Sequence, residues 1–167
     1  YDHKYVYSHI GYNFKITDLQ AAIGCAQIKK LPSFVTARRK NFARIYSIVA
    51  RYQDYIRLPE TTALADPAWF GFPIYVKKRS PFDRKKIVDY LEKKNIETRM
   101  LFGGNLLRQP AYQKIHCRVP GRLTHTNQAM RRLFWIGVYP GITQPMIDYI
   151  ERCFDLFFKK LPRSKLK

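Results

Sequence analysis

Two arginines, Arg99 and Arg108, bracket the run "MLFGGNLL", and inside it Phe102 to Asn105, "FGGN", carries the composition of a tight turn. Guanidinium groups make forked, charge-assisted hydrogen bonds to phosphate oxygens, and a Gly-Gly turn brings backbone amides to an anion. The pair therefore suits a phosphate or pyrophosphate, against the simpler reading of two surface arginines beside a chain reversal. The four histidines, His3, His9, His116 and His125, lack the helical spacing of metal ligands and read as surface or packing residues. Cys25, Cys117 and Cys153 are far apart, odd in number and without metal-ligand spacing, which reads as free thiols in a reducing compartment. The chain carries no Walker loop, no G-x-G-x-x-G, no G-x-S-x-G and no H-E-x-x-H. No catalytic residue is assigned within it.

The elements that must position these groups are drawn from 167 residues, 46% apolar and 15% aromatic, enough for a buried core. No apolar run reaches the roughly 20 residues that cross a bilayer. Thirty-one Lys and Arg against twelve Asp and Glu give a formal charge of +19, a field that attracts polyanions. The basic residues are nevertheless spread over helix-like faces and match no nucleic-acid-binding signature, so a nucleic-acid partner is not expected.

Thr17, with Gln20 three residues on, predicts a helix over "DLQAAIGCAQI" with Leu19, Ala22, Ile23, Ala26 and Ile28 on its apolar face and Pro32 beyond it. Phe34, Arg38, Phe42, Ile45, Val49 and Tyr52 form a stripe that predicts a long helix from Ser33 to Tyr55, with Arg38 partly covered. "IRLPE" and "AWFGFPIYVKK" read as strands; Ser80 and Pro81 read as cap and first-turn proline of a helix with Ile87, Val88 and Leu91 inward. "IETRML" predicts a strand, "THTNQAMRRLF" a short helix, "WIGVYP" a strand, and Thr143 caps a closing helix. The alternation implies an α/β layer, a small sheet covered by helices.

Four separated runs carry a resemblance: "YDHKYVYSHIGYNFKITDLQAAIGCAQIKKLP", "DPAWFGFPI", "IETRMLFGGNLLRQPAY" and "FWIGVYPGIT". Together they resemble the sugar aminotransferase and dehydratase family, vitamin B6 enzymes of the aspartate aminotransferase fold, and within it the CDP-4-keto-6-deoxyglucose 3-dehydrase subgroup of lipopolysaccharide biosynthesis. The resemblance reaches to about Lys159 and implies the C-terminal portion of that α/β fold. Residues 1–31 would end the large cofactor-binding domain, 32–160 form the small domain, and 161–167 a basic tail, disordered by composition.

For function, the resemblance implies pyridoxamine or pyridoxal 5'-phosphate as electron sink while hydroxide leaves carbon 3 of a 4-keto nucleotide sugar. Asn13, in "GYN", would reach the cofactor phosphate of the neighbouring subunit in a homodimer. Arg99, Asn105 and Arg108 would meet the nucleotide-sugar substrate. The Schiff-base position and the cysteine ligands of a 2Fe-2S cluster would lie upstream, the cluster being served by a flavin-dependent iron-sulfur reductase. A cytoplasmic location follows from the same resemblance. The 167-residue chain alone is expected to be inactive. The alternatives are an aminotransferase of the same family and a stand-alone basic module that binds polyanions.

Overall fold

The computed structural model describes residues 6–12 and 15–161. Helix α1 (Asp18–Ile28) opens where the capping pattern placed it, with the Gln20 side-chain oxygen accepting the Thr17 N–H at 2.8 Å. None of its residues is buried: Leu19 is 82% exposed and Ile23 63%. The predicted apolar face is therefore formed but has no partner among the described residues.

Helix α2 (Leu31–Val49) follows after Lys29 and Lys30, with Pro32 in its first turn, where a missing N–H costs nothing. Its core face is Ile45, Ile48 and Val49, and it also buries Asn41. The predicted continuation to Tyr55 fails. The ladder tightens into a 3-10 turn at Ala50–Tyr52, which lays the Tyr52 ring flat on Phe158 with centroids 4.0 Å apart and turns the chain into the first strand.

Strands β1 (Ile56–Arg57), β2 (Gly71–Val76), β3 (Thr98–Met100) and β4 (Leu133–Gly137) form one antiparallel sheet in the order β1-β2-β4-β3. Register aligns Phe72, Ile136 and Thr98 in one row and Ile74, Phe134 and Met100 in the next. Side chains alternate across a sheet, so these rows share one face. That face joins Ile45 and Val49 of α2, Ile87 and Leu91 of α3 (Arg84–Lys93), and Ile147, Phe154 and Phe157 of α5 (Gln144–Lys159) in a single core. The opposite row is Pro73, Trp135 and Arg99. Helix α4 (Thr124–Arg132) lies on this side, where Tyr75 donates to Gln128 at 3.4 Å. The Trp135 indole crosses β2 so closely that a Cβ on Gly71 would sit 2.4 Å from it, so only glycine fits there.

The cap of α3 is Asp83, not Ser80: the Asp83 carboxylate accepts the Lys86 N–H at 2.9 Å. The reason is packing. Phe82 is buried against Phe157 and Phe158, and the Ser80 hydroxyl is committed to the Tyr55 carbonyl, so the chain turns helical only after Phe82 is seated. Thr143 stands at the N-cap of α5 but its side chain makes no capping hydrogen bond. The predicted strand "WIGVYP" starts earlier, at Leu133, because α4 ends at Arg132. Of the basic tail, Leu161 packs against the core, and residues 162–167 lie outside the described residues.

Candidate functional site

The glycine turn is built by β3 running directly into a reversal. Phe102 N–H donates to Met100 at 2.7 Å and Gly104 N–H to Leu101 at 3.0 Å, with positive φ at Phe102 (43°) and Gly104 (62°). Gly104 is pressed against α4: a Cβ there would stand 2.6 Å from Met130 Cγ. Only glycine meets both the left-handed conformation and this approach.

Asn105 is buried, and its side chain is spent inside the loop. The carbonyl oxygen accepts the Leu107 N–H at 3.1 Å, capping the 3-10 turn Leu106–Arg108, and the amide donates to Asn127 at 2.9 Å. Arg108 Nε donates to the same Asn127 oxygen at 2.6 Å. Asn127, on α4, thus gathers the two predicted site residues of this loop. Gln109, also buried, accepts the Tyr7 N–H at 3.1 Å and donates to the Gly103 carbonyl at 2.8 Å.

Arg99 belongs to a different neighbourhood. Its guanidinium pairs with Glu97 at 2.6 Å, with both side chains about half exposed (46% and 62%). It stands on the rim of a cleft of about 710 Å3 between the edge strand β3 and the start of α5, whose walls include Trp135, Tyr139, Met146 and Tyr149. At the cleft margin the Tyr149 hydroxyl donates to the Lys94 carbonyl at 3.1 Å, and hydrogen bonding with Cys153 raises its pKa above the ordinary tyrosine value. Arg99 and Arg108, read together from the sequence, are thus held by different partners, Glu97 and Asn127.

Asn13 lies outside the described residues, as does His3. His9 bonds to Ser8 at 2.8 Å and is exposed, like His116 and His125. All three cysteines are free, with Cys25 and Cys117 exposed and Cys153 in the core. Among the described residues no group of His, Cys, Asp and Glu could hold a metal ion, and no helix is long and apolar enough to cross a membrane. Gln109 lies in the run "IETRMLFGGNLLRQPAY" and Asn127 in the predicted helix "THTNQAMRRLF", yet neither was legible as a site residue, because Tyr7 comes to Gln109, and Asn105 and Arg108 to Asn127, from other segments.

The sequence profile described as the DegT/DnrJ/EryC1/StrS aminotransferase family matches residues 1–155. The chain is 47% identical over 158 residues to the lipopolysaccharide biosynthesis protein RfbH of Salmonella typhimurium, covering 95% of this chain and 36% of that protein. It is 44% identical to the dTDP-4-dehydro-2,6-dideoxy-D-glucose 3-dehydratase of Saccharopolyspora spinosa, covering 96% of this chain and 34% of the relative. A solved GDP-4-keto-6-deoxymannose-3-dehydratase with a trapped PLP-glutamate geminal diamine superposes with a TM-score of 0.74 at 28% identity, over 86% of this chain and 37% of that one. The chain thus spans about a third of the length of the relatives it matches. The α/β arrangement of a small antiparallel sheet covered by helices is that of the aminotransferase-fold B6 enzymes. By profile, sequence and fold together, the chain belongs to the DegT/DnrJ/EryC1/StrS aminotransferase family, close to its sugar 3-dehydratases.

Proposed function

We propose that this chain forms the small-domain side of the substrate cleft in a B6-dependent nucleotide-sugar 3-dehydratase. Its reaction removes the carbon 3 hydroxyl of a CDP-4-keto-6-deoxyhexose, on the way to 3,6-dideoxy sugars of lipopolysaccharide O-antigen. The observation that supports this is the match, over nearly the whole chain, to one protein of lipopolysaccharide biosynthesis and to another that is a dTDP-sugar 3-dehydratase. Residues 1–31 are read as the end of the cofactor domain and 32–160 as the small domain, in keeping with an α1 that contributes nothing to the core.

The cofactor is pyridoxal or pyridoxamine 5'-phosphate, which supplies an electron sink when bound. The cavity under the glycine turn, about 110 Å3, is below the roughly 300 Å3 at which ligand pockets begin. This chain's share is Asn13, reaching the cofactor phosphate across a homodimer. Arg99 and Arg108 donate to the diphosphate of the substrate, and Asn105 fixes the turn from which Arg108 projects. The 2Fe-2S cluster and its flavin-dependent reductase partner belong to residues outside this chain, and the compartment is the cytoplasm.

The second reading within the family, an aminotransferase, is favoured by the family's own description and differs at the Schiff-base position, where lysine supports transamination and histidine does not. A polyanion-binding module rests on the +19 charge alone and would show steep salt dependence.

The test uses the complete dimeric enzyme. Arg99→Ala and Arg108→Ala should each raise KM for the nucleotide sugar roughly tenfold, the value of one charge-assisted hydrogen bond. Melting should hardly change for Arg99→Ala, since its ion pair is exposed. Unchanged KM in both variants overturns the substrate assignment.

A further inference from the structure

Tyr7 is held at both backbone groups by one short stretch of chain. Its N–H donates to the Gln109 side-chain oxygen at 3.1 Å, and its carbonyl accepts the Ala111 N–H at 3.0 Å. The other end of the Gln109 carboxamide donates to the Gly103 carbonyl at 2.8 Å. Gly103 itself lies under the Tyr7 ring, where an added Cβ would be 3.2 Å from Tyr7 Cε2. Gln109 is only 3% exposed, so both ends of its side chain are satisfied within the protein and away from water. A buried carboxamide bridging two segments a hundred residues apart fixes their separation, because breaking either bond strands a buried polar group.

We infer that Gln109 is a positioning residue: it ties the segment at Tyr7 to the glycine turn between Arg99 and Arg108. The consequence for function rests on the dehydratase reading, in which those two segments meet cofactor phosphate and substrate. The clamp itself does not depend on that reading. It acts by geometry, setting where the two segments stand relative to each other, and touches neither ligand.

The experiment is amide hydrogen exchange on the 167-residue chain with Gln109→Ala and Gln109→Glu. In Gln109→Ala the Tyr7 amide should exchange about tenfold faster, the equivalent of one lost buried hydrogen bond, while core amides such as those of Phe72 and Phe134 stay protected. Gln109→Glu supplies a readout that a loss of packing volume cannot mimic. The ionised carboxylate faces the Gly103 carbonyl with no proton to give. The protonated acid has the shape of glutamine, accepting from Tyr7 and donating to Gly103. Burial raises the introduced carboxyl's pKa and Arg84, on the lining of the same small cavity, lowers it, so exchange is followed from about pH 7 down to about pH 3. The ionised carboxylate can still accept from Tyr7, but its second oxygen is repelled by the Gly103 carbonyl and that end of the bridge is open, so protection of Tyr7, compared with Gln109→Ala at each pH, should rise further as the acid protonates and the bridge closes.

Equal Tyr7 exchange in the wild type and Gln109→Ala overturns the inference, and so does a Gln109→Glu chain whose Tyr7 gains no protection at low pH. Should Gln109→Ala fail to fold, the Gln109→Glu series is referred to the wild type at each pH, and the difference in Tyr7 exchange between them should narrow as the acid protonates. Failure of the functional reading looks different: Tyr7 protection follows the clamp, but Arg99→Ala and Arg108→Ala leave KM of the complete enzyme for the nucleotide sugar unchanged. Clamp-dependent Tyr7 protection together with a raised KM in those variants supports both.

Discussion

Gly104→Ala tests the turn that carries the candidate site, and its cost follows from two separate terms. Gly104 has φ of +62°, a conformation that costs an L-residue roughly 1 to 2 kcal/mol. The new methyl would also lie 2.6 Å from Met130 Cγ and 2.9 Å from Met130 Cβ, and such overpacking costs roughly 1 to 3 kcal/mol. Against these, alanine narrows the unfolded ensemble by about 0.4 to 1 kcal/mol. The net loss should be roughly 1 to 4.5 kcal/mol. Gly103→Ala is the control: its nearest neighbours, 3.2 Å away, are the side-chain ends of Leu106 and Tyr7, and its φ is not positive, so the cost should stay under about 1 kcal/mol. Urea denaturation followed by tryptophan fluorescence measures both. Adding Met130→Ala to Gly104→Ala removes the 2.6 Å contact with Cγ and leaves the 2.9 Å contact with Cβ and the conformational term, so the double-mutant cycle should show favourable coupling of about 0.5 to 2 kcal/mol, part of the overpacking cost. Equal losses for the two glycines, or strict additivity with Met130→Ala, would refute the reasoning.

Asp83→Ala should destabilise by about 1 kcal/mol through the lost α3 cap, read as a lower urea midpoint at unchanged slope; an effect of zero would return the helix start to Ser80. Tyr52 titrates well above the ordinary tyrosine range, first because it is partly buried and then because its hydroxyl donates to Asp155. With the folded pKa above the unfolded one, its stabilising contribution is whole below about pH 10 and is lost only as pH rises through the folded value. Ultraviolet titration should therefore lose its last-ionising tyrosine, and no earlier one, in Tyr52→Phe. Replacing Leu19 and Ile23 together by serine should leave the unfolding midpoint within about 0.5 kcal/mol and reduce self-association in light scattering; a loss beyond 1 kcal/mol would show that α1 packs on the core after all.

Local signals reported what local forces decide. The Thr17 and Gln20 pair, the alternation through β2 and the apolar stripe of α5 all lie within one element, and each appears in place. The Ser80-Pro81 signal misled because a cap is chosen by what the following residues must bury, and Phe82 has to reach Phe157 before the helix begins. Asn41 sits on an otherwise apolar face because its amide donates to the Tyr139 carbonyl at 2.9 Å, a partner no pattern within α2 announces. The glycine turn was legible for the same reason as α1, its own residues demanding it. What each arginine does there was not, since Glu97 lies two residues from Arg99 while Asn127 comes to Arg108 from another helix. The apolar face of α1 was legible, whereas its partner is not written in these residues.

The order β1-β2-β4-β3 puts the last strand of the chain in the middle of the sheet. Gly71 pairs with Gly137, and Thr98 with Ile136, so until β4 arrives β2 has only the short β1 beside it and β3 has no neighbour. During synthesis, at about 5 to 20 residues per second, Phe72 and Ile74 leave the ribosome several seconds before the strand that shelters them. Over that interval the aromatic-rich β2 is paired on one edge only, by the short β1, which leaves a species suited to holdase chaperones and to off-pathway strand pairing. A pause or truncation before Leu133 should yield aggregates rather than a partial domain, since closing the sheet and releasing the chain from this hazard are the same event.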